Sequence, residues 1–153
     1  MKHWLMKTEP TTFGIDDLAK APRRRSRWDG VRNYQVRNMI RDEIRKGDLA
    51  FFYHSSCEVP GIYGVARIVR ESYPDPTAFD PRHAHFDPKS DPEAPTWFMV
   101  DVELVRRLET PITLEKLKAN ARAIGDLVVL KRGNRLSITP VTPTQWRKVL
   151  ALA

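Results

Sequence analysis

The chain has 153 residues, of which 41% are apolar, 9% aromatic and 29% charged. Four tryptophans, four tyrosines and six phenylalanines exclude a disordered chain, and the length suits one domain, expected to run over residues 1–153. No run approaches the roughly 20 apolar residues of a membrane span. The start, Met1-Lys2-His3-Trp4-Leu5-Met6-Lys7, lacks the apolar core of a signal peptide, so a cytoplasmic protein with no membrane partner is expected. The single cysteine, Cys57, has no intramolecular disulfide partner, which agrees with a reducing compartment.

The net charge of +7 is localised. Lys20 to Lys46 holds ten basic residues against three acidic ones, so this window alone carries +7, and the sixteen basic and sixteen acidic residues outside it cancel. Such concentration favours a polyanionic partner, with a merely solvated basic face as the bland alternative.

In chain order, His3 to Lys7 reads as a first strand and Gly14 to Lys20 as a short helix that ends before Pro22. From Tyr34 to Arg45, Val36, Met39, Ile40 and Ile44 recur at helical spacing behind Asn33, a plausible N-cap. Arg37, Arg41 and Arg45 then form a basic stripe on the other face. Asp48 to His54 and Ile62 to Val69 read as antiparallel strands joined through Pro60-Gly61. Six of the twelve prolines and five acids fall between Pro74 and Pro95, which reads as an extended, solvated loop. Trp97 to Leu108 alternates as a long strand whose Phe98, Val100, Val102 and Leu104 face the core. A short helix capped by Thr113, an apolar segment over 127–130, a last strand from Arg135 to Thr139 and a helix opened by Thr142-Pro143 complete the chain. Strands of mixed length interrupted by short helices predict an α+β domain with a sheet curled into a partial barrel.

The most unusual stretch is Arg27-Trp28-Asp29-Gly30-Val31-Arg32-Asn33-Tyr34, a tryptophan between basic residues on a glycine-containing turn. Its indole serves either as a stacking wall for a nucleobase, with Asn33 reading a base edge and arginines meeting phosphate, or as a core plug. Phe51-Phe52-Tyr53-His54-Ser55-Ser56-Cys57 ends an apolar strand in polar and reactive side chains. His54 and Cys57 are residue types for nucleophilic catalysis, but no orienting acid stands at a recognisable spacing. His83, His85, Asp80 and Asp87 are metal-ligand types without a standard zinc spacing. No phosphate-binding glycine loop is present, and Gly133-Asn134-Arg135-Leu136-Ser137 sets a cation and a hydroxyl beside a turn where a base edge is readable.

Together, Trp4-Leu5-Met6-Lys7-Thr8-Glu9-Pro10, Arg27 to Gln35, Gly47-Asp48-Leu49 through Phe52-Tyr53-His54-Ser55, Tyr73 to Thr77, Phe86-Asp87-Pro88-Lys89-Ser90 and Arg135 to Ile138 with Pro140-Val141-Thr142-Pro143 resemble the EVE domain. The resemblance covers nearly the whole chain. It implies a PUA-like fold, a curved β-pseudobarrel flanked by short helices and related to the YTH readers. It also implies a non-catalytic reader of a modified base, either modified cytosine in DNA (5-methylcytosine among them) or a modified base in RNA, with no cofactor and no metal. Carried over by motif, the base pocket draws on Lys7, Thr8, Trp28, Val31, Asn33, Tyr53, His54, Ser55, Arg135 and Ser137. Arg23, Arg24, Arg25, Arg27, Arg32, Arg37 and Arg41 are expected to meet the nucleic-acid backbone. The family more often has serine where Thr8 stands, and Pro22-Arg23-Arg24-Arg25 is an unusually basic approach to Trp28. The alternatives are an enzyme acting on modified nucleic acid, a nuclease or glycosidase for which Asp29 and Glu9 are the tempting carboxylates, and a protein-interaction module using the basic face.

Overall fold

A computed structural model describes residues 1–153. Its elements run β1 (His3–Thr8), α1 (Ile15–Lys20), a 3-10 turn at Pro22–Arg24, β2 (Arg25–Trp28), α2 (Tyr34–Asp42), β3 (Leu49–His54) and β4 (Gly61–Pro74). A 3-10 turn at Pro76–Phe79, β5 (Phe98–Thr113), α3 (Leu114–Ala119), α4 (Ala121–Ile124), a 3-10 turn at Val128–Leu130, β6 (Ile138–Val141) and α5 (Pro143–Leu150) follow. No helix is long and apolar enough to cross a membrane.

One six-stranded mixed sheet carries the order β2-β5-β4-β3-β1-β6, with β1 parallel to β3 and the other pairs antiparallel. The expected antiparallel pairing of β3 with β4 is present, from Leu49 opposite Arg67 to His54 opposite Gly61. β4 and β5 run to 14 and 16 residues, longer than the alternation suggested, because register shifts let them bend while staying paired.

The sheet is strongly curved. All six strands contribute to one cluster of 18 buried side chains: Trp4 and Met6, Trp28, Ala50 and Phe52, Ala66 and Ile68, Val100 to Leu104, and Ile138, closed by Leu18 of α1 and Val36, Met39 and Ile40 of α2. The edges of a flat six-stranded sheet lie about 24 Å apart, so a single shared core requires the sheet to wrap. It stops short of a closed barrel, since β2 and β6 do not pair. On the convex face, 13 buried residues, among them Leu5, Phe51, Tyr53, Ile62, Leu117 and Val149, pack beneath α3, α4 and α5. Trp146 stacks on Phe51 there at 3.8 Å between ring centroids.

Local signals explain most element ends. Asn33 Oδ1 accepts the Val36 N–H at 3.0 Å, capping α2, and Thr142 and Gln145 form a reciprocal capping box on α5 with Pro143 at its first position. Three expectations are corrected. α2 stops at Asp42 rather than Arg45, because the buried Asp48 carboxylate draws in the Arg45 N–H at 2.9 Å, as well as Lys2 N and Trp4 Nε1. The last strand starts at Ile138 rather than Arg135, since Asn134 Oδ1 holds the Leu136 N–H in a turn. The proline-rich segment is not free of structure: Asp80, Asp87 and Asp91 accept the N–H groups of Arg82, Lys89 and Glu93 in successive turns, and Asp87 also takes Trp97 Nε1 at 2.7 Å.

Candidate nucleic-acid interface

The curvature brings the ends of β1 and β2 to one place. Three strands separate them in the sheet, about 19 Å when flat, yet both line a single cavity of about 600 Å³. β1 contributes Lys7 and Thr8, continued by Glu9, Thr12 and Phe13; β2 contributes Ser26, Arg27 and Trp28, continued by Asp29, Gly30, Val31 and Arg32. His85 and Ser137 complete the wall. The volume lies in the range of small-molecule sites.

Trp28 closes β2 opposite Val100 rather than standing on a loop. It is 8% exposed, meets Phe52 edge-on at 5.7 Å and belongs to the concave core, while its remaining surface faces the cavity. Wall and plug are therefore one residue. Asp29 pairs with Arg27 at 3.4 Å, and burial lowers the Lys7 ammonium below the ordinary lysine range by penalising its charge. Thr8 Oγ1 donates to the Phe13 carbonyl at 2.9 Å, which folds the segment after β1 back over the site.

The turn after Trp28 is fastened from outside. Asp75, fully buried, accepts from Gly30 N at 2.8 Å, Arg32 Nη1 at 3.1 Å, Thr77 N at 2.9 Å and Thr77 Oγ1 at 2.6 Å. Burial alone would raise the Asp75 pKa; the hydrogen bonds from Thr77, Gly30 and Arg32 outweigh it and hold the carboxyl below its usual range. Arg32 spends its remaining donors on the carbonyls of Val31 and His85 and on Thr77 Oγ1. Gly30 has φ of +80°, and a Cβ there would stand 2.5 Å from the His85 ring, so glycine permits both the turn and the close approach of the histidine.

Of the residues expected in the pocket, the fold gathers Lys7, Thr8, Trp28, Val31 and Ser137 on the cavity wall. The others lie elsewhere. Asn33 is occupied as the cap of α2. Tyr53 faces the convex core, where burial pushes its pKa up to about 12. His54 points to the concave side but its Nε2 accepts the Ile15 N–H at 3.1 Å and its ring stacks on Tyr63, so that nitrogen is not available to Cys57. Ser55 N donates to the Thr8 carbonyl, and Arg135 is exposed off the wall. Glu9 and Asp29, the carboxylates of the enzyme alternative, also line the wall, as do Ser26 and His85, which no pocket motif marks. No group of three or more His, Cys, Asp or Glu side chains is arranged to hold a metal ion.

The arginines divide similarly. Arg32 is a structural clamp, which corrects its expected role on the backbone. Arg25 pairs with Glu103 at 2.6 Å and Arg41 with Asp42 at 2.8 Å; Arg24 donates to the Leu104 carbonyl. Arg23 is exposed and in no ion pair, and it and Arg24 both hold positive φ, near +57° and +56°, in a strained turn that leads into β2.

Comparison with known proteins follows this geometry. The profile of the EVE domain matches residues 2–152. Human thymocyte nuclear protein 1 is 43% identical over 166 residues, covering 98% of this chain and 73% of that protein. A crystal structure of human THYN1 protein in complex with 5-methylcytosine-containing DNA superposes with a TM-score of 0.92 at 43% identity, over 99% of this chain and 97% of that one. A protein from Pseudomonas syringae gives a TM-score of 0.92 at 45% identity over 98% of both chains.

Proposed function

The chain belongs to the EVE domain family, and from that premise we propose that it is a non-catalytic module that binds nucleic acid and takes one modified base into the cavity beside Trp28. The observation that carries this reading is the cavity itself: the Trp28 indole, the cationic Lys7 and Arg27 and several hydroxyl groups converge on a space large enough for a pyrimidine. The human relative crystallised with 5-methylcytosine-containing DNA supports that base in DNA as the first ligand to test; a modified RNA base is the second. Lys7, Thr8, Trp28, Val31 and Ser137 are the proposed pocket, and Arg23, Arg24, Arg25, Arg27, Arg37 and Arg41 the proposed backbone cations. A base enters such a cavity only when extruded or unpaired, and stacking with charge then supplies affinity while the wall supplies discrimination.

One observation favours a second reading, an enzyme acting on the bound base: Glu9 and Asp29 are both on the wall. A single experiment separates the two. Matched oligonucleotides with one cytosine or one 5-methylcytosine are titrated with the protein, recovered after incubation with divalent metal, and weighed by mass spectrometry. Tighter binding of the methylated strand with unchanged mass is the expected result. Equal affinities overturn the modified-base reading, and strand cleavage or base release lost in Asp29→Ala or Glu9→Gln establishes the enzyme.

A further inference from the structure

Four side chains form a row of ring and guanidinium contacts that leads from the cavity wall to the surface, with the Trp97 and Tyr34 rings tilted 39° to each other. Arg32, on the cavity wall, sets its guanidinium 5.5 Å from the Trp97 ring centre; Trp97 lies 4.8 Å from the Tyr34 ring; the Arg37 guanidinium lies 5.1 Å from Tyr34. The inner members are fixed, Arg32 by Asp75 and Trp97 by Asp87. Arg37 is held by the Thr96 carbonyl at 2.9 Å and Asn38 Oδ1 at 2.8 Å. Tyr34 alone is widely open, 60% exposed, an unusual state for a ring already held in one orientation by its neighbours. Its backbone lies two residues beyond Arg32, at most about 7 Å from the cavity wall along an extended chain.

We infer that Tyr34 and Arg37 form a second nucleotide subsite, in which the base adjacent to the one in the cavity stacks on Tyr34 and its phosphate meets Arg37. This rests on the proposed base-binding function and adds the path of the strand. The occupant follows from the chemistry of the surface. An exposed aromatic ring beside the Arg37 guanidinium matches a planar base with an anionic backbone, since bases stack on aromatic rings and phosphates pair with arginine. Stacking of this kind tolerates any base, so the subsite adds affinity and strand direction without adding selectivity.

The test uses the whole protein and a DNA nonamer with one central 5-methylcytosine, its neighbours either natural or replaced by an abasic site on the 5′ or the 3′ side. For the unaltered protein, an abasic site on one of the two sides is expected to weaken binding about 5- to 150-fold, the range for one stacked base. Tyr34→Ala should weaken the natural nonamer by a similar factor and make that abasic substitution harmless, while keeping the preference for 5-methylcytosine over cytosine. Tyr34→Trp should restore affinity. The Tyr34→Ala melting temperature should stay within about 2 °C, as for an exposed substitution. The subsite is overturned if neither abasic flank matters, or if the flank penalty persists undiminished in Tyr34→Ala. A ratio of one between methylated and unmethylated nonamers in the unaltered protein instead overturns the modified-base reading, and no binding of any nonamer overturns both.

Discussion

Arg32 and Asp75, 43 residues apart, form a half-buried ion pair at 3.1 Å that ties the turn after Trp28 to the segment covering the cavity. The Asp75 side chain is fully enclosed and that of Arg32 only 23% exposed, so an unpaired carboxylate would find no water and an unpaired guanidinium little. Breaking such a pair from one side costs about 3 to 5 kcal/mol. Asp75→Asn should therefore lower the melting temperature by about 6 to 20 °C at roughly 2 to 4 °C per kcal/mol. The double variant Arg32→Met with Asp75→Asn should recover part of that loss, because no orphaned charge remains. Additive losses in calorimetry would mean that the pair is not a unit.

The same carboxylate sets an acid limit. Its folded pKa lies below the 3.8 of the free group, so the folded form binds fewer protons. The stabilisation is present above pH 3.8 and lost as pH falls through the lowered value. Acid titration followed by circular dichroism should show this loss, and Asp75→Asn should reduce it, leaving the part due to Asp42, Asp87 and Glu103, which are also held below their ordinary range.

His54 and His3 act nearer neutrality. Burial lowers both below 6.5, helped at His3 by the chain's amino terminus, so the unfolded chain takes up protons that the folded one refuses. Stability should begin to fall as pH drops through about 6.5 and level off below the lowered folded values. His54→Asn should flatten part of the slope measured by denaturant unfolding between pH 7.5 and 5, and His3 should account for the rest. A flat profile in the unaltered protein would show that neither histidine is held neutral.

Gly30→Ala combines two penalties that a second substitution separates. The left-handed backbone at φ +80° costs an alanine about 1 to 2 kcal/mol, and the new Cβ drives into the His85 ring. In a His85→Ala background the clash is gone and only the backbone cost remains, so the effect of Gly30→Ala on unfolding free energy should shrink to that range. An unchanged effect would mean that the histidine yields freely.

Trp28 is expected to show both of its roles. Trp28→Ala removes a core residue and should cost about 3 to 5 kcal/mol, whereas Trp28→Phe keeps an aromatic ring against Phe52 and should melt much closer to the unaltered protein. Its affinity for a 5-methylcytosine oligonucleotide should nevertheless fall, since a smaller ring offers the base less surface. Unchanged affinity in a folded Trp28→Phe would place the bound base away from this wall.

Charge should appear in the salt dependence. If about four cations reach phosphates, log K against log salt should slope near −3 on single-stranded DNA. Arg23→Glu, which disturbs no ion pair, should reduce affinity for methylated and unmethylated strands alike, and more than Arg41→Glu, whose charge is already balanced by Asp42. A flat titration would remove the basic window from binding.

The sequence by itself determined what depends on near neighbours. Asn33 and Thr142 stand as caps three residues from their N–H donors, and the alternation of Val100, Val102 and Leu104 names the buried face of β5. The concentration of charge between Lys20 and Lys46 and the order of the motifs were legible for the same reason. Strand alternation also separates Tyr53 from His54: consecutive strand residues point to opposite faces, so the two do not line one pocket. Tertiary structure alone decided the rest. Whether Arg32 meets phosphate or Asp75, whether His54 serves chemistry or the Ile15 N–H, and whether Trp28 is wall or plug depend on partners tens of residues away. Those partners arrive only when register shifts curl the sheet and bring the ends of β1 and β2 together, a long-range geometry to which capping and alternation are blind.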